Sequence, residues 1–198
     1  MTPQDSYKLT DKPTIKNLES ILKILDDVKP VLIGGIAVAA YANYYNINYI
    51  RETGDIDFII NEDKYVDTKG IIYRELPNLP IKERQIFGYD GIEIKYEDGP
   101  SLSILFKDKE VPYNEIELKI GKKKIKLYVA KIEYLLVDKI FTYLDREEEK
   151  DSDDIEILSR LMKRYGYDKE LLYKIFNEYS KKYGKYSSKA KDIIENIL

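Results

Sequence analysis

Residues 14–28 place Ile15, Leu18, Ile21, Leu22 and Leu25 at the spacing of one helix face, which predicts an amphipathic helix stopped by Lys29-Pro30. Val31-Leu32-Ile33 follows with no polar position, the mark of a short buried strand. Two glycines, Gly34 and Gly35, lead into residues 36–45, which read as a helix. Residues 55–60 are expected as a second strand, and residues 62–76 as a helix broken near Gly70. From residue 86 to residue 129 the pattern becomes extended. Ile92-Glu93-Ile94-Lys95-Tyr96 alternates, Asp98-Gly99-Pro100 supplies a turn, and residues 102–106 form an apolar strand. Residues 116–120 and 125–129 are expected as two strands joined across Gly121-Lys122-Lys123. From Ile132 the pattern is helical to the end, interrupted near residues 147–153, Gly166 and Gly184.

Helix–strand–helix–strand, then strands, then helices predicts an α/β (α+β) protein. The expected division is a mixed-sheet core over residues 1–130 and a C-terminal helical region packed on it over residues 131–198. A chain of 198 residues can hold one compact domain, or a small core with a helical appendage. No apolar run is long enough to span a membrane, and residues 1–7 lack the basic start and apolar stretch of a signal peptide. A cytoplasmic location is the expectation.

Histidine, cysteine and tryptophan are absent, and this removes whole classes of chemistry. There is no disulfide framework, no Cys/His zinc site, and no Cys or His nucleophile–base pair. A general base must be Asp, Glu, Lys or Tyr, and a bound metal must be a hard cation held by oxygen, such as Mg²⁺ or Mn²⁺. With 33 Lys+Arg against 36 Asp+Glu, the formal charge is −3, so no global basic field attracts nucleic acid. Lys122-Lys123-Lys124 reads either as a local basic patch or as a solvated hairpin turn after Gly121, and Glu147-Glu148-Glu149 as a solvated loop between helices. Abundant Lys, Glu, Ile and Tyr without cysteine is compatible with a heat-adapted source.

The chemistry concentrates in two phrases. Gly34-Gly35 stands at a strand-to-helix junction, where glycine lets a phosphate approach the backbone and the first helical N–H groups are free. About twenty residues later comes Arg51-Glu52-Thr53-Gly54-Asp55-Ile56-Asp57-Phe58. On a strand, Asp55 and Asp57 share a face while Ile56 and Phe58 take the other. Alone, Asp-x-Asp reads as two surface carboxylates at a strand start. With Gly34-Gly35 before it and Arg51-x-Thr53 beside it, it reads as a triphosphate loop next to a carboxylate pair for Mg²⁺. The guanidinium of Arg51 suits a phosphate, or equally an ion pair with Asp55 or Asp57.

This arrangement resembles the nucleotidyltransferase superfamily that includes DNA polymerase beta. It resembles more closely the AbiEii/AbiGii-type nucleotidyltransferase-like toxins of prokaryotic abortive-infection systems. Their phrase Gly-Gly…Arg-x-Thr-x-Asp-Ile-Asp is matched by Gly34, Gly35, Arg51, Thr53, Asp55, Ile56 and Asp57. A later phrase is matched by Leu127-Tyr128-Val129, then Glu133 to Lys139, Arg146, Lys150-Asp151 and Asp154-Ile155, so the likeness runs from about residue 15 to residue 160. The resemblance implies a Mg²⁺-dependent enzyme that transfers a nucleoside monophosphate from an NTP to a hydroxyl on RNA or protein, with a toxin role and an antitoxin partner. It assigns metal binding and catalysis to Asp55 and Asp57, and nucleotide binding to Gly34, Gly35, Arg51, Thr53 and Lys139. Asp151 and Asp154 match its later acidic segment, though a helix cap or a salt bridge to Arg146 or Lys150 accounts for them as well. The chain departs from the pattern at Ser103, where active members carry a third acid. Glu93, on the preceding extended segment, is the candidate catalytic substitute. A non-catalytic nucleotide-binding or interaction module on the same fold is the alternative.

Overall fold

The computed structural model describes residues 6–86 and 88–198, and the chain divides into two units, Met1–Val129 and Ala130–Leu198. Residues 1–5, part of the stretch read for a signal peptide, lie outside the described residues. The first unit opens with β1 (Tyr7–Lys8), α1 (Lys12–Ile24), β2 (Val31–Ile33), α2 (Gly34–Tyr44), β3 (Glu52–Thr53), β4 (Asp55–Asn61) and α3 (Tyr65–Glu75). Strands β5 (Ile81–Ile86), β6 (Tyr89–Ile94), β7 (Ser101–Lys107), β8 (Tyr113–Ile120) and β9 (Lys123–Ala130) follow.

Among the described residues, seven of these strands form one sheet in the order β5-β6-β7-β4-β2-β9-β8, while β1 and β3 pair as a separate ribbon. The sheet is mixed: β4 runs antiparallel to β2 but parallel to β7, and β2 runs parallel to β9. One of its faces is apolar and buried along three strands. Ile56, Phe58 and Ile60 on β4, Leu102 and Ile104 on β7, and Ile92 and Ile94 on β6 are all at most 2% exposed. Successive residues point to opposite faces, so Asp55 and Asp57 are displayed on the other one. Helix α2 is anchored toward β8 by the Asn114 amide, which donates to the Tyr41 hydroxyl at 3.0 Å. Asn17 on α1 donates to the carbonyls of Asp98 and Pro100 and so pins the turn at Gly99, whose φ is +99°.

Two expectations need correction. Helix α3 runs through Gly70 without a break. A helical glycine costs about 1 kcal/mol against alanine, and the burial of Thr68 and Ile72 on either side outweighs it. Strand β5 begins before the extended pattern expected from residue 86. Its four central residues are exposed and polar, so alternation gives no signal; its hydrogen-bond ladder to β6 makes it a strand. Glu83 at its middle accepts hydrogen bonds from Lys69, Tyr65 and Tyr73 on α3, and these donors pull its carboxyl down to about 2.

The second unit consists of α4 (Ile132–Arg146), α5 (Glu149–Tyr165), α6 (Lys169–Lys182) and α7 (Ser187–Ile197). The break expected over residues 147–153 is only Glu147 and Glu148; Glu149 and Asp151 lie in the first turn of α5, where carboxylates favour the helix dipole. Glu147 is left-handed at φ +53°. Phe141, Phe176, Tyr179 and Tyr183 pack as an aromatic group, and Tyr179 donates its hydroxyl to Asp138 at 2.7 Å.

Between α4 and α5 lies a buried charge network. The Lys139 ammonium meets Asp154 at 2.8 Å and Asp151 at 3.1 Å, and Arg146 meets Asp151 at 2.7 Å. Burial pushes the Lys139 ammonium down, but the charges of Asp154 and Asp151 leave it raised overall. For Asp151 burial pushes the carboxyl up, and the Arg146 hydrogen bond with the Lys139 charge leaves it lowered. The raised lysine contributes stability that is complete below its unfolded value of about 10.4 and lost as pH climbs through the folded one. The lowered aspartate contributes stability that is complete above about 3.9 and lost as pH falls through its folded value. We therefore expect a stability plateau across neutral pH that falls at both ends. Lys139→Ala, which takes the ammonium from Asp154 and leaves Asp151 with Arg146, should cost roughly 3–5 kcal/mol in chemical denaturation at pH 7.

Candidate active site

Strand β2 ends in extended backbone at Ile33, and the next residue, Gly34, takes φ +70° and starts α2. The residue before it, Ile33, gives this helix no side-chain cap, and the positive end of a helix favours an anion. Register sets Ile33 directly opposite Asp57 on β4. A Cβ at Gly34 would stand 2.6 Å from Asp57 Oδ2, so the carboxylate fills the space that the absent side chain leaves. Gly35 makes room in the same way for Arg51. The Cζ, Nη2 and Nε atoms lie 3.0–3.1 Å from where its Cβ would be, so the guanidinium plane faces the Gly35 Cα. Arg51 is 7% exposed and donates through Nη1 to the Glu52 carbonyl. A buried cation and a carboxylate thus flank the glycine pair at a helix N-terminus.

Asp55 is exposed, and Thr53 donates its hydroxyl to Asp55 Oδ1 at 2.6 Å. Thr53 is therefore placed to orient a carboxylate. The ribbon of β1 and β3 holds this segment, with Tyr7 opposite Thr53 and Ser6 donating to Glu52. Gly34, Gly35, Arg51, Thr53, Asp55 and Asp57 are consequently one local constellation within the first unit.

Ser103 is the direct neighbour of Asp57 across the parallel pair β4–β7, and Glu93 is the direct neighbour of Ser103 across β7–β6. The three side chains share one face in a single row. With strands about 4.8 Å apart, the Glu93 Cα is roughly 10 Å from that of Asp57. Glu93 pairs with Arg84 on β5 at 3.3 Å, and its side chain is 13% exposed. Among the described residues, no group of three or more acidic side chains is gathered closely enough to hold a metal ion. Lys139 belongs to the second unit, where it is 4% exposed and held between Asp151 and Asp154. Of the sequence alternatives for those two aspartates, the salt bridge from Arg146 is the one formed, on Asp151.

The donor set suits a particular kind of ion. Mg²⁺ usually takes one or two carboxylates and completes its shell with water and phosphate oxygens, whereas Ca²⁺ wants six to eight oxygens. Asp55 and Asp57 on one strand face, beside a helix end open to phosphate, meet the first requirement. The arrangement can bind a polyphosphate and set its charge against a metal, which is the main demand of phosphoryl transfer.

No protein-family model and no curated protein matches the sequence. Solved structures do show similarity. The antibiotic-resistance factor ANT(2'')-Ia aligns over 92% of this chain and 99% of its own, with 12% identity and a TM-score of 0.61. MenT4, a nucleotidyltransferase toxin from Mycobacterium tuberculosis, aligns over 73% of this chain and 57% of its own, with 13% identity and a TM-score of 0.50. An antigenic nucleotidyltransferase-like protein from Paracoccidioides brasiliensis aligns over 93% and 95%, with 19% identity and a TM-score of 0.49. At these identities the first two alignments show a shared fold: this is a mixed α/β protein with the fold seen in ANT(2'')-Ia and in the nucleotidyltransferase toxin MenT4.

The close approach at Gly34 is open to a direct test. Gly34→Ala introduces a left-handed alanine, costing about 1–2 kcal/mol, and drives Asp57 Oδ2 out of its seat. We expect a fall in melting temperature of roughly 2–8 °C in a chain of this size, read by calorimetry. A melting point equal to that of the parent protein would show that the contact is slack.

Proposed function

We propose that the protein is a Mg²⁺-dependent (or Mn²⁺-dependent) nucleotidyltransferase acting in the cytoplasm. It would transfer a nucleoside monophosphate from an NTP to a hydroxyl on RNA or on a protein, with release of pyrophosphate. The observation that carries the reading is the Asp57 carboxylate seated against the Cα of Gly34, with Asp55 on the same strand face. Asp55 and Asp57 would hold the metal, which would supply positive charge against the α-phosphate when bound. The N–H groups opening α2, bared by Gly34 and Gly35, take a phosphate, and Arg51 offsets its charge. Thr53 fixes the rotamer of Asp55, and Glu93 is the acid assigned to the acceptor proton. Lys139 is proposed as a further nucleotide-binding cation. Lys139→Arg, which keeps the charge, should then retain NTP affinity that Lys139→Met loses.

One observation favours the second reading, a nucleotide-binding or interaction module without turnover. Ser103 occupies the strand position next to Asp57, and no three-acid group forms among the described residues. The acceptor class and the biological role rest on the resemblance to AbiEii-type toxins. A toxin of that kind should arrest growth when induced, Asp57→Ala should relieve the arrest, and an antitoxin protein should neutralise it on co-expression.

Nucleotide binding separates these readings from a purely structural domain. A ligand that binds only the native state adds about 2.7 kcal/mol at a hundredfold excess over Kd, which is a rise of several degrees in melting temperature. That rise should require NTP and Mg²⁺ together and vanish in Asp55→Ala/Asp57→Ala. Absence of a rise with any of the four ribonucleoside triphosphates at millimolar concentration overturns the nucleotide site. A rise without pyrophosphate release supports the second reading.

A further inference from the structure

Resting on the metal-site reading above, we propose that β1 is a clamp on that site. Its pairing with β3 holds Thr53, and through Thr53 it holds the Asp55 carboxylate in the position that takes Mg²⁺. Tyr7 and Thr53 are positioning residues on this account, since they act through Asp55. The contacts run without a gap. Tyr7 lies directly opposite Thr53 in the antiparallel ribbon, and Lys8 opposite Glu52. Thr53 then donates its hydroxyl to Asp55 Oδ1 at 2.6 Å. A carboxylate with a fixed donor on one oxygen presents its remaining lone pairs to a metal in a defined direction.

The neighbours of Thr53 are tied to other parts of the unit. Arg51 lies against Gly35 and donates to the Glu52 carbonyl. The Gly54 carbonyl accepts from the Ser101 amide at 2.9 Å and from its hydroxyl at 3.2 Å. Strand β3 is not part of the seven-stranded sheet, so the ladder that fixes Thr53 is the one with β1. A two-stranded ribbon is marginal in water by itself, and this one has two residues per strand. Its docking is helped by Leu9, which is 4% exposed, and by the Lys8 amide, which donates to the Asp11 carboxylate at 2.7 Å. Ser6 donates to Glu52 at 2.8 Å and Lys8 pairs with it at 3.5 Å. Both contacts are exposed and contribute little, so the ladder and Leu9 carry the docking. A clamp held this lightly can be released without unfolding the sheet behind it.

The test uses the full chain and titrates Mg²⁺ at a fixed, saturating NTP. It reads the Mg²⁺ concentration that gives half of the NTP-dependent rise in melting temperature. Outer partners of a ligating side chain typically contribute 10–100-fold in metal affinity. Thr53→Val, which keeps the shape and loses the hydroxyl, should therefore raise this midpoint by about 10–100-fold. Thr53→Ser keeps a hydroxyl and should stay within about threefold of the parent. Tyr7→Pro puts a residue without a backbone N–H into the ribbon and leaves Thr53 and Asp55 in place. It should raise the midpoint by about three- to tenfold, the effect of one hydrogen bond. Leu9→Ala loosens the same strand from its other end and should move the midpoint in the same direction. Ile175→Val trims a buried side chain in the helical unit. It should lower the melting temperature without ligand and leave the midpoint within about twofold of the parent, which separates positioning from lost stability. A midpoint within about twofold of the parent in Thr53→Val, or in both Tyr7→Pro and Leu9→Ala, overturns the clamp and leaves the metal site standing. So does a midpoint in Thr53→Ser or Ile175→Val that rises as far as in Thr53→Val. A parent protein whose melting temperature with NTP does not depend on Mg²⁺ overturns the metal-site reading itself, and the clamp with it.

Discussion

Asp57 Oδ2 occupies the volume that any side chain at residue 34 would need, and the whole site is organised around that contact. Gly34 takes φ +70° at little cost because it has no Cβ to collide with the backbone, and the same absence admits the carboxylate. The left-handed residue turns the chain from β2 into α2 within one step, so the helix opens beside the strand that carries the aspartates. One substitution therefore acts at two levels, on the backbone turn and on the position of a charged group. Arg51 against Gly35 repeats the device with the opposite charge. A buried guanidinium beside a helix N-terminus is unfavourable on its own, because the two positive ends repel. Anionic oxygen nearby offsets that conflict, and the Asp57 carboxylate is seated at the adjacent glycine.

Charge is handled differently in the helical unit. Lys139, Asp151 and Asp154 are at most 4% exposed, and Arg146 closes the network from the rim. Two carboxylates against two cations leave no net charge to desolvate, which makes such a cluster tolerable in a low-dielectric setting. Its geometry is specific: α4 and α5 can slide past each other only by breaking several ion contacts together. Substituting one member exposes the rest to uncompensated burial, so the network acts as a lock on the helix pair more than as a source of net stability.

The core of the fold was legible because burial on both faces leaves a mark. Val31-Leu32-Ile33 and the strand around Phe58 carry unbroken or alternating apolar runs, and the glycine pair marks the turn between strand and helix. Strand β5 was not legible, since only Ile81 and Ile86 of its six residues are apolar and its order comes from a neighbouring strand and from α3. The uninterrupted helix at Gly70 was hidden for the reverse reason: a local preference was visible and the tertiary burial of Ile72 that overrides it was not. At the site, the residue types and their spacing could be read, but the row of Asp57, Ser103 and Glu93 could not. That row depends on β7 pairing with β4 out of sequence order, which no local pattern encodes.

The two-faced sheet explains how a fold can be shared at an identity of 12%. The face bearing Ile56, Phe58, Leu102 and Ile104 has to exclude water and fill space, a demand that many apolar combinations satisfy. The face bearing Asp55, Asp57, Ser103 and Glu93 carries polar and ionisable side chains, and a single atom type there changes its chemistry. Because period-two alternation assigns neighbouring residues to opposite faces, packing and chemistry vary almost independently along the same strand. Ser103 sits between buried Leu102 and Ile104 and can change without disturbing either. Shared architecture therefore carries little information about the residues on the chemical face. The reaction has to be argued from those residues themselves, and here they place two carboxylates, a buried arginine and a helix N-terminus around one strand-to-helix turn.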